Sequence, residues 1–390
     1  MTVESGAATT AASALDQPAP DTPDQAGEFI QLLTPEGERI DHPEYPLDLS
    51  ADDIRNMYRD LVLVRTIDTV AISLQRQGEL GIWASLLGQE AAQIGSGRAL
   101  SPDDMVFPTY REHGVAWCRG IDPVKLLELY RGVSHGGWAP EEHKFGLYTI
   151  VIGAQTLHAT GYAMGIQRDS GETAEAVIAY FGDGATSQGD VNEAFVWASV
   201  FNAPIVFFCQ NNQWAISEPL EKQSRIPLYQ RARGFGFPGL RVDGNDVLAC
   251  YAVTQKALQA AREGQGPTLI EAFTYRMGAH TTTDDPTRYR LASELEMWKL
   301  RDPIERVRAY LVRGGLGPQT EPEFFAEVDA EAKREGARVR DACRNMPDPP
   351  PLALFDNVYA EPTALQREER EQYAAYLDSF EAGENGGADR

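Results

Sequence analysis

An aspartate flanked by glycines, Gly182-Asp183-Gly184, is followed after 26 residues by the pair Asn211-Asn212. One charged and one neutral oxygen donor suit magnesium, which prefers octahedral oxygen coordination and completes its shell with phosphate oxygens and water. The glycines permit a tight turn and close backbone approach. The amides of Gly184 and Ala185, near the start of the next helix, can bind a phosphate. Gly-Asp-Gly alone is more often an ordinary turn. Paired with Asn-Asn at the end of a second strand, it reads as a metal and phosphate site. Taken alone, Arg111 reads as a surface ion pair with a neighbour such as Glu112, and Arg276 as a surface salt bridge. The chain has six histidines. His42, His113, His143 and His158 receive no role.

These residues need strands to present them. Residues 176–181 form a short apolar run read as a buried strand, as do 204–209 and 268–274. Between the first two, 189–202 carries apolar residues at helical spacing, and 247–263 is helical before the third. Alternating strand and helix implies an α/β fold, a parallel sheet with helices on both faces. A helix joins the first two strands, so they run parallel. Their carboxyl ends, carrying Asp183 and Asn212, open on one edge, where ligands of open α/β sheets bind. Ser50 is the expected N-cap of a helix through Gln77, and Asp122-Pro123 starts another to about Arg131. From about Ala292 the chain is charged and helical, broken at Pro349–Pro351.

The chain has 390 residues and a formal net charge of -23. So acidic a surface argues against nucleic acid or an anionic membrane as the main partner. Two long uncharged runs, 145–167 and 194–217, are too interrupted to span a bilayer and are read as core segments with polar ends. Four scattered cysteines give no CxxC pair, which speaks against structural zinc and a disulfide framework. A reducing, cytoplasmic location is expected. The first basic residue is Arg39, so no signal or transit peptide is expected. Residues 1–28 lack aromatics and basic residues and are expected to be a disordered tail, as are 381–390.

The surrounding text is more specific than the metal motif. GDGATSQGD at 182–190, QNNQWAIS at 210–217, RVDGNDVLACYAV at 241–253 and YRMGAHTTTDDPTRYR at 275–290 resemble one family. It is the alpha subunit of the thiamine-diphosphate-dependent decarboxylating (first) component of 2-oxo acid dehydrogenase complexes, over roughly residues 50–375. The resemblance implies a thiamine-diphosphate-binding fold over 29–375, holding the diphosphate half of the site, with a helical C-terminal part. It implies magnesium held by Asp183, Asn212 and the Trp214 carbonyl, where the family usually has Tyr. It implies that Tyr110-Arg111 and Arg276 grip the diphosphate. A guanidinium fork suits that task. Gly182 flanks the metal ligand. Ile152 matches a backbone contact to the aminopyrimidine, and Ile216 the apolar residue under the bent cofactor. His280 matches a histidine beside the reacting carbon that assists acyl transfer by proton transfer. His135 is matched in some bacterial members only.

The implied chemistry is oxidative decarboxylation of a 2-oxo acid, with acyl transfer to lipoyl-lysine of a dihydrolipoyl acyltransferase. The implied assembly is an α2β2 tetramer, inactive without its beta subunit. Ile150–Gln155 stands where branched-chain members often carry a potassium-binding Ser-Pro-x-x-Thr-Gln stretch, so no potassium site is assigned. The RVDGNDV and FFCQNN runs lean towards branched-chain members. The reading is therefore a branched-chain 2-oxo acid of the 3-methyl-2-oxobutanoate type, with pyruvate as the alternative. Thr281–Thr283 lie where animal members carry regulatory serines, and an unmodified loop is the expectation. A transketolase-like fragment would need both thiamine-binding halves. A non-catalytic acidic scaffold with a dead site predicts no cofactor binding even with a partner.

Overall fold

The computed structural model describes residues 29–169, 175–315 and 317–385. Along the chain, β1 (Phe29–Ile30) leads to the long helix α1 (Ala51–Arg76), then α2 (Glu90–Arg98) and β2 (Met105–Phe107). Short helices α3 (His113–Cys118), α4 (Pro123–Arg131) and α5 (Pro140–His143) precede α6 (Ala154–Ile166). The centre alternates through β3 (Val177–Gly182), α7 (Gly189–Val200) and β4 (Ile205–Asn211). A small hairpin follows, β5 (Trp214–Ala215) with β6 (Glu218–Pro219), then α8 (Arg231–Phe235). After it come β7 (Gly239–Asp243), α9 (Val247–Arg262) and β8 (Thr268–Phe273). The remainder is helical: α10 (Ala292–Lys299), α11 (Pro303–Val312), α12 (Pro322–Arg344) and α13 (Ala364–Asn385).

Six strands form one parallel sheet in the order β1-β7-β8-β4-β3-β2. Strands β3 and β4, inside the sheet, are apolar on both faces because both faces are covered. Ile178, Tyr180, Val206 and Phe208 face a core shared with α1, α2 and α9. Val177, Ala179, Phe181, Ile205 and Phe207 face a second core with α6 and α7. Helices α2 and α9 approach closely at Gly95, where a Cβ would come within 2.6 Å of the Val247 carbonyl oxygen. On the far side α12 packs along α1.

The three expected strands are β3, β4 and β8, each within a residue or two of its expected span. Ser50 caps α1 through a capping box with Asp53, and Asp122 caps α4 with Pro123 in the first turn. Strands β1, β2 and β7 were not expected from the sequence, nor were helices α2, α3 and α6. The 145–167 run corrects its expectation of a core segment. Phe145 is buried, but Leu147, Ile150, Val151 and Ile152 are exposed, and α6 occupies only the later part. At the C-terminus α13 continues to Asn385, overturning an irregular tail from 381. The expected tail at 1–28 and residues 386–390 lie outside the described residues. No helix among the described residues is long and apolar enough to cross a membrane.

Candidate active site

Parallel strands deliver their carboxyl ends to one edge, and four neighbours do so here. Register pairs Phe107 with Ala179, Gly182 with Gln210, and Asn211 with Phe273. The loops leaving β2, β3, β4 and β8 therefore start side by side. They carry Tyr110-Arg111, Asp183, Asn212 through Ile216, and Arg276 through His280. Together with the start of α6 they enclose a cavity of about 270 Å³. Its lining includes Tyr110, Arg111, Ile152, Gly182, Asp183, Gly184, Ala185, Asn212, Trp214, Ile216, Arg276 and His280. His135 is exposed in the loop after α4 and does not line the cavity.

Asp183 opens a 3-10 turn over Asp183–Ser187 that precedes α7. So Gly184 and Ala185 sit in that turn rather than at an α-helical N-terminus. The Asp183 carboxylate is 1% exposed. Burial pushes its pKa up to about 6, against the pull of the Gln223 side chain, of main-chain groups including Asn212, and of Arg276. Gln223 donates to Asp183 Oδ2 at 2.9 Å. The Asn212 side chain donates to Gln89 Oε1 at 3.0 Å, and its Oδ1 accepts from the Trp214 amide at 3.3 Å. The carboxylate, the carboxamide and the Trp214 carbonyl belong to one wall of the cavity. No other carboxylate joins Asp183 in a metal cluster among the described residues.

Two guanidinium groups line the same cavity. Arg276 is fully buried and donates to the Trp214 carbonyl at 2.7 Å, the Ile216 carbonyl at 2.8 Å and the Tyr289 hydroxyl at 3.1 Å. Burial, and next the like charge of Arg111, bring its pKa down to about 10. Arg111 is also buried and donates to the carbonyls of Ser85 and His280. Neither guanidinium has a carboxylate at ion-pair distance among the described residues. Both reach Nδ1 of His280, at 3.4 Å from Arg111 and 3.5 Å from Arg276. Guanidinium groups only donate, so Nδ1 is the lone-pair end of the ring and the proton sits on Nε2. Burial, then Arg111 and Arg276, bring the His280 pKa down to about 3, and Asp284 opposes them. The ring is neutral at physiological pH. Ile216 is 54% exposed and adopts φ +57°, a left-handed backbone that a β-branched residue rarely takes.

Several residues in and around the cavity were not singled out from sequence. Glu112 is fully buried, accepts from the Thr109 hydroxyl and from Gln210 at 2.6 Å, and burial raises its pKa. Its position beside Arg111 was the only signal, and it suggested an ion pair that does not form. Gln89 and Gln223 gave no signal at all. His113, given no role, stacks on Trp83 with ring centres 4.1 Å apart. It donates from Nε2 to the Ala84 carbonyl at 2.8 Å.

The sequence pattern of the dehydrogenase E1 component family matches residues 58–352. The chain is 46% identical over 351 residues to the 3-methyl-2-oxobutanoate dehydrogenase subunit alpha of Mycobacterium tuberculosis, covering 90% of this chain and 94% of that one. It is 39% identical over 333 residues to the pyruvate dehydrogenase E1 component subunit alpha of Acholeplasma laidlawii, covering 85% and 95%. Identity to the same-named subunit of Bacillus subtilis is 39% over 315 residues, covering 80% and 84%. With a family match over most of its length and relatives aligned nearly end to end, the chain belongs to the dehydrogenase E1 component family.

Proposed function

We propose that this chain is the alpha subunit of a cytoplasmic 2-oxo acid dehydrogenase that acts with a beta subunit in an α2β2 tetramer. The substrate is a branched-chain 2-oxo acid of the 3-methyl-2-oxobutanoate type. The acyl group passes to lipoyl-lysine of a dihydrolipoyl acyltransferase. The observation that carries this reading is the pair of buried guanidinium groups, Arg111 and Arg276, without carboxylate partners among the described residues, in a chain of net charge -23. Such a pair is costly to bury unless an anion completes it.

The residues present fit thiamine diphosphate with magnesium. Asp183, the Asn212 side chain and the Trp214 carbonyl offer a hard oxygen set for the ion. Arg111 and Arg276 offer donors to the diphosphate, with Tyr110 beside them and the amides of Gly184 and Ala185 in the turn below. When bound, thiamine diphosphate supplies the carbanion-stabilising chemistry that releases carbon dioxide. Ile216 projects its apolar side chain at the cavity, a shape suited to holding a bent ligand, and Ile152 contributes the facing wall. His280, its lone pair facing the two arginines, keeps its proton on Nε2 in the wall of the cavity. It holds a proton there as a hydrogen-bond donor to developing negative charge.

The branched-chain preference is supported by the 46% identical relative named for 3-methyl-2-oxobutanoate. The 39% identical relatives named for pyruvate favour the second reading. The test is kcat/KM for both substrates, with the chain co-purified with its beta subunit, magnesium, thiamine diphosphate and an artificial electron acceptor. A ratio above about tenfold, ~1.4 kcal/mol of discrimination, in favour of 3-methyl-2-oxobutanoate is expected. The same ratio in favour of pyruvate assigns the second reading. No turnover with either substrate, despite bound cofactor, sinks both.

A further inference from the structure

The segment Trp83–Leu86 supplies no candidate ligand, yet it is hydrogen-bonded to two of the site's loops, those leaving β2 and β8. The Ser85 carbonyl accepts from Nη1 of Arg111. Trp83 pairs with Thr282 in both directions. The Thr282 amide donates to the Trp83 carbonyl at 2.9 Å, and the Trp83 amide donates to Thr282 Oγ1 at 3.0 Å. Thr282 stands two residues beyond His280. The segment itself has no strand partner among the described residues, so something else must hold it.

Asp68 does so, together with His113, which stacks on Trp83 and donates to the Ala84 carbonyl. Asp68, on the buried side of α1, is 2% exposed. Its Oδ1 accepts from Trp83 Nε1 at 2.8 Å and from the Leu86 amide at 3.0 Å. Its Oδ2 accepts from the Ser85 hydroxyl at 2.6 Å. Three donors from four consecutive residues converge on one side chain, and no cation pairs with it among the described residues. Deleting that side chain orphans all three donors and frees the segment to shift.

We propose that Asp68 is a positioning residue that sets Arg111 and His280 at once, through the Ser85 carbonyl and the Trp83–Thr282 pair. The assignment rests on the diphosphate reading of the cavity. It differs from simple core satisfaction in that two separable functions depend on one side chain, and Thr282 carries only one of them. An asparagine can replace Asp68, because its carboxamide oxygen keeps Trp83 and Leu86 while its NH2 donates to the Ser85 hydroxyl oxygen.

The test uses the chain assembled with its beta subunit. Calorimetry measures thiamine diphosphate affinity in excess magnesium without turnover. A single-turnover assay measures acyl transfer to a lipoyl domain at saturating cofactor. Asp68→Ala is expected to weaken binding by about tenfold or more and to slow transfer by a similar factor. Asp68→Asn is expected within about threefold of wild type in both. Thr282→Val is expected to bind cofactor within about threefold of wild type while transferring about fivefold more slowly. Wild-type affinity and transfer in Asp68→Ala overturn the assignment, as does an asparagine variant impaired as much as the alanine one. If Asp68→Ala does not assemble, Thr282→Val carries the test, and wild-type transfer in it overturns the coupling. A wild-type assembly that binds no cofactor refutes the diphosphate reading itself, a result distinct from wild-type binding with an unaltered Asp68→Ala.

Discussion

Replacing Arg276 with methionine should leave the empty protein nearly as stable as before and remove most of its response to cofactor. The guanidinium is fully buried, with three oxygen acceptors and no carboxylate partner among the described residues. Its pKa falls to about 10 from 12.5. A base depressed on folding costs stability at every pH below the depressed value. Here that cost is about 3 kcal/mol at neutral pH. Methionine removes the cost and also forfeits three hydrogen bonds, each worth about 1 kcal/mol net. The two effects offset, so unfolding of the cofactor-free assembly should change by less than about 1 kcal/mol. The bound state is different. A diphosphate charge at ~4 Å from the guanidinium is attracted by about 4 kcal/mol at an effective dielectric of ~20. Losing even ~3 kcal/mol of it weakens binding by about a hundredfold. The assay is thermal unfolding with and without cofactor at ~100 times the wild-type Kd. Wild type then gains about 2.7 kcal/mol and the variant about 0.4 kcal/mol. An equal cofactor-induced rise in both proteins refutes the diphosphate role. A collapse of the cofactor-free variant by several kcal/mol refutes the offset and makes Arg276 a structural residue.

Three further outcomes follow from the site. His280→Ala should retain cofactor affinity, measured by calorimetry, but slow acyl transfer to a lipoyl domain by about 10- to 100-fold; an unaltered transfer rate rules the role out. Ile216→Gly should change cofactor-free stability by less than about 1 kcal/mol, since relief of the left-handed strain offsets glycine's extra unfolded entropy. Its turnover should nonetheless fall, and a multi-kcal/mol loss in chemical denaturation counts against that account. Burial raises the Asp68 carboxyl to about 6 from 3.8, opposed by its three donors. A carboxyl raised on folding contributes stability that is complete below its unfolded value and lost as pH rises through 6. Wild type should therefore gain up to about 3 kcal/mol relative to Asp68→Asn as pH falls from 7 to 4. A pH-independent difference in midpoint contradicts it.

The elements legible in the sequence were those whose burial is two-sided. Strands β3 and β4 are apolar runs between turn residues, β8 is one interrupted by the single charge of Glu271, and the helix between β3 and β4 fixes their direction. β7 was hidden because Arg241 sits inside it. That side chain is buried over the Phe273 ring, 4.0 Å from its centre, beside the fully buried Glu271. A charged residue in a central strand is satisfied only by tertiary partners, which no local pattern shows. β1 and β2 are two and three residues long, too short for periodicity to register. Locally, Arg111 looked like half of an ion pair with Glu112. In the fold the two side chains part, Glu112 to Thr109 and Gln210, Arg111 to two carbonyls. The cavity residues came from motif resemblance, and the edge that gathers them from strand order. The brace at Asp68 was invisible because its partners lie 15 to 18 residues away across a turn.

Because β3 and β4 are direct neighbours, their last paired residues, Gly182 and Gln210, are held at the spacing of a parallel ladder, about 4.8 Å between strands, and Asp183 and Asn212 leave the sheet from adjacent points. The helix between them packs on one face of the sheet and takes no part in that spacing. Lengthening or shortening the α7 connection at its solvent end would alter the count of intervening residues without altering the bite offered to an ion. The interval that makes the motif recognisable as text is thus a by-product of how long a helix must be to cross this sheet. The chemistry depends on the ladder.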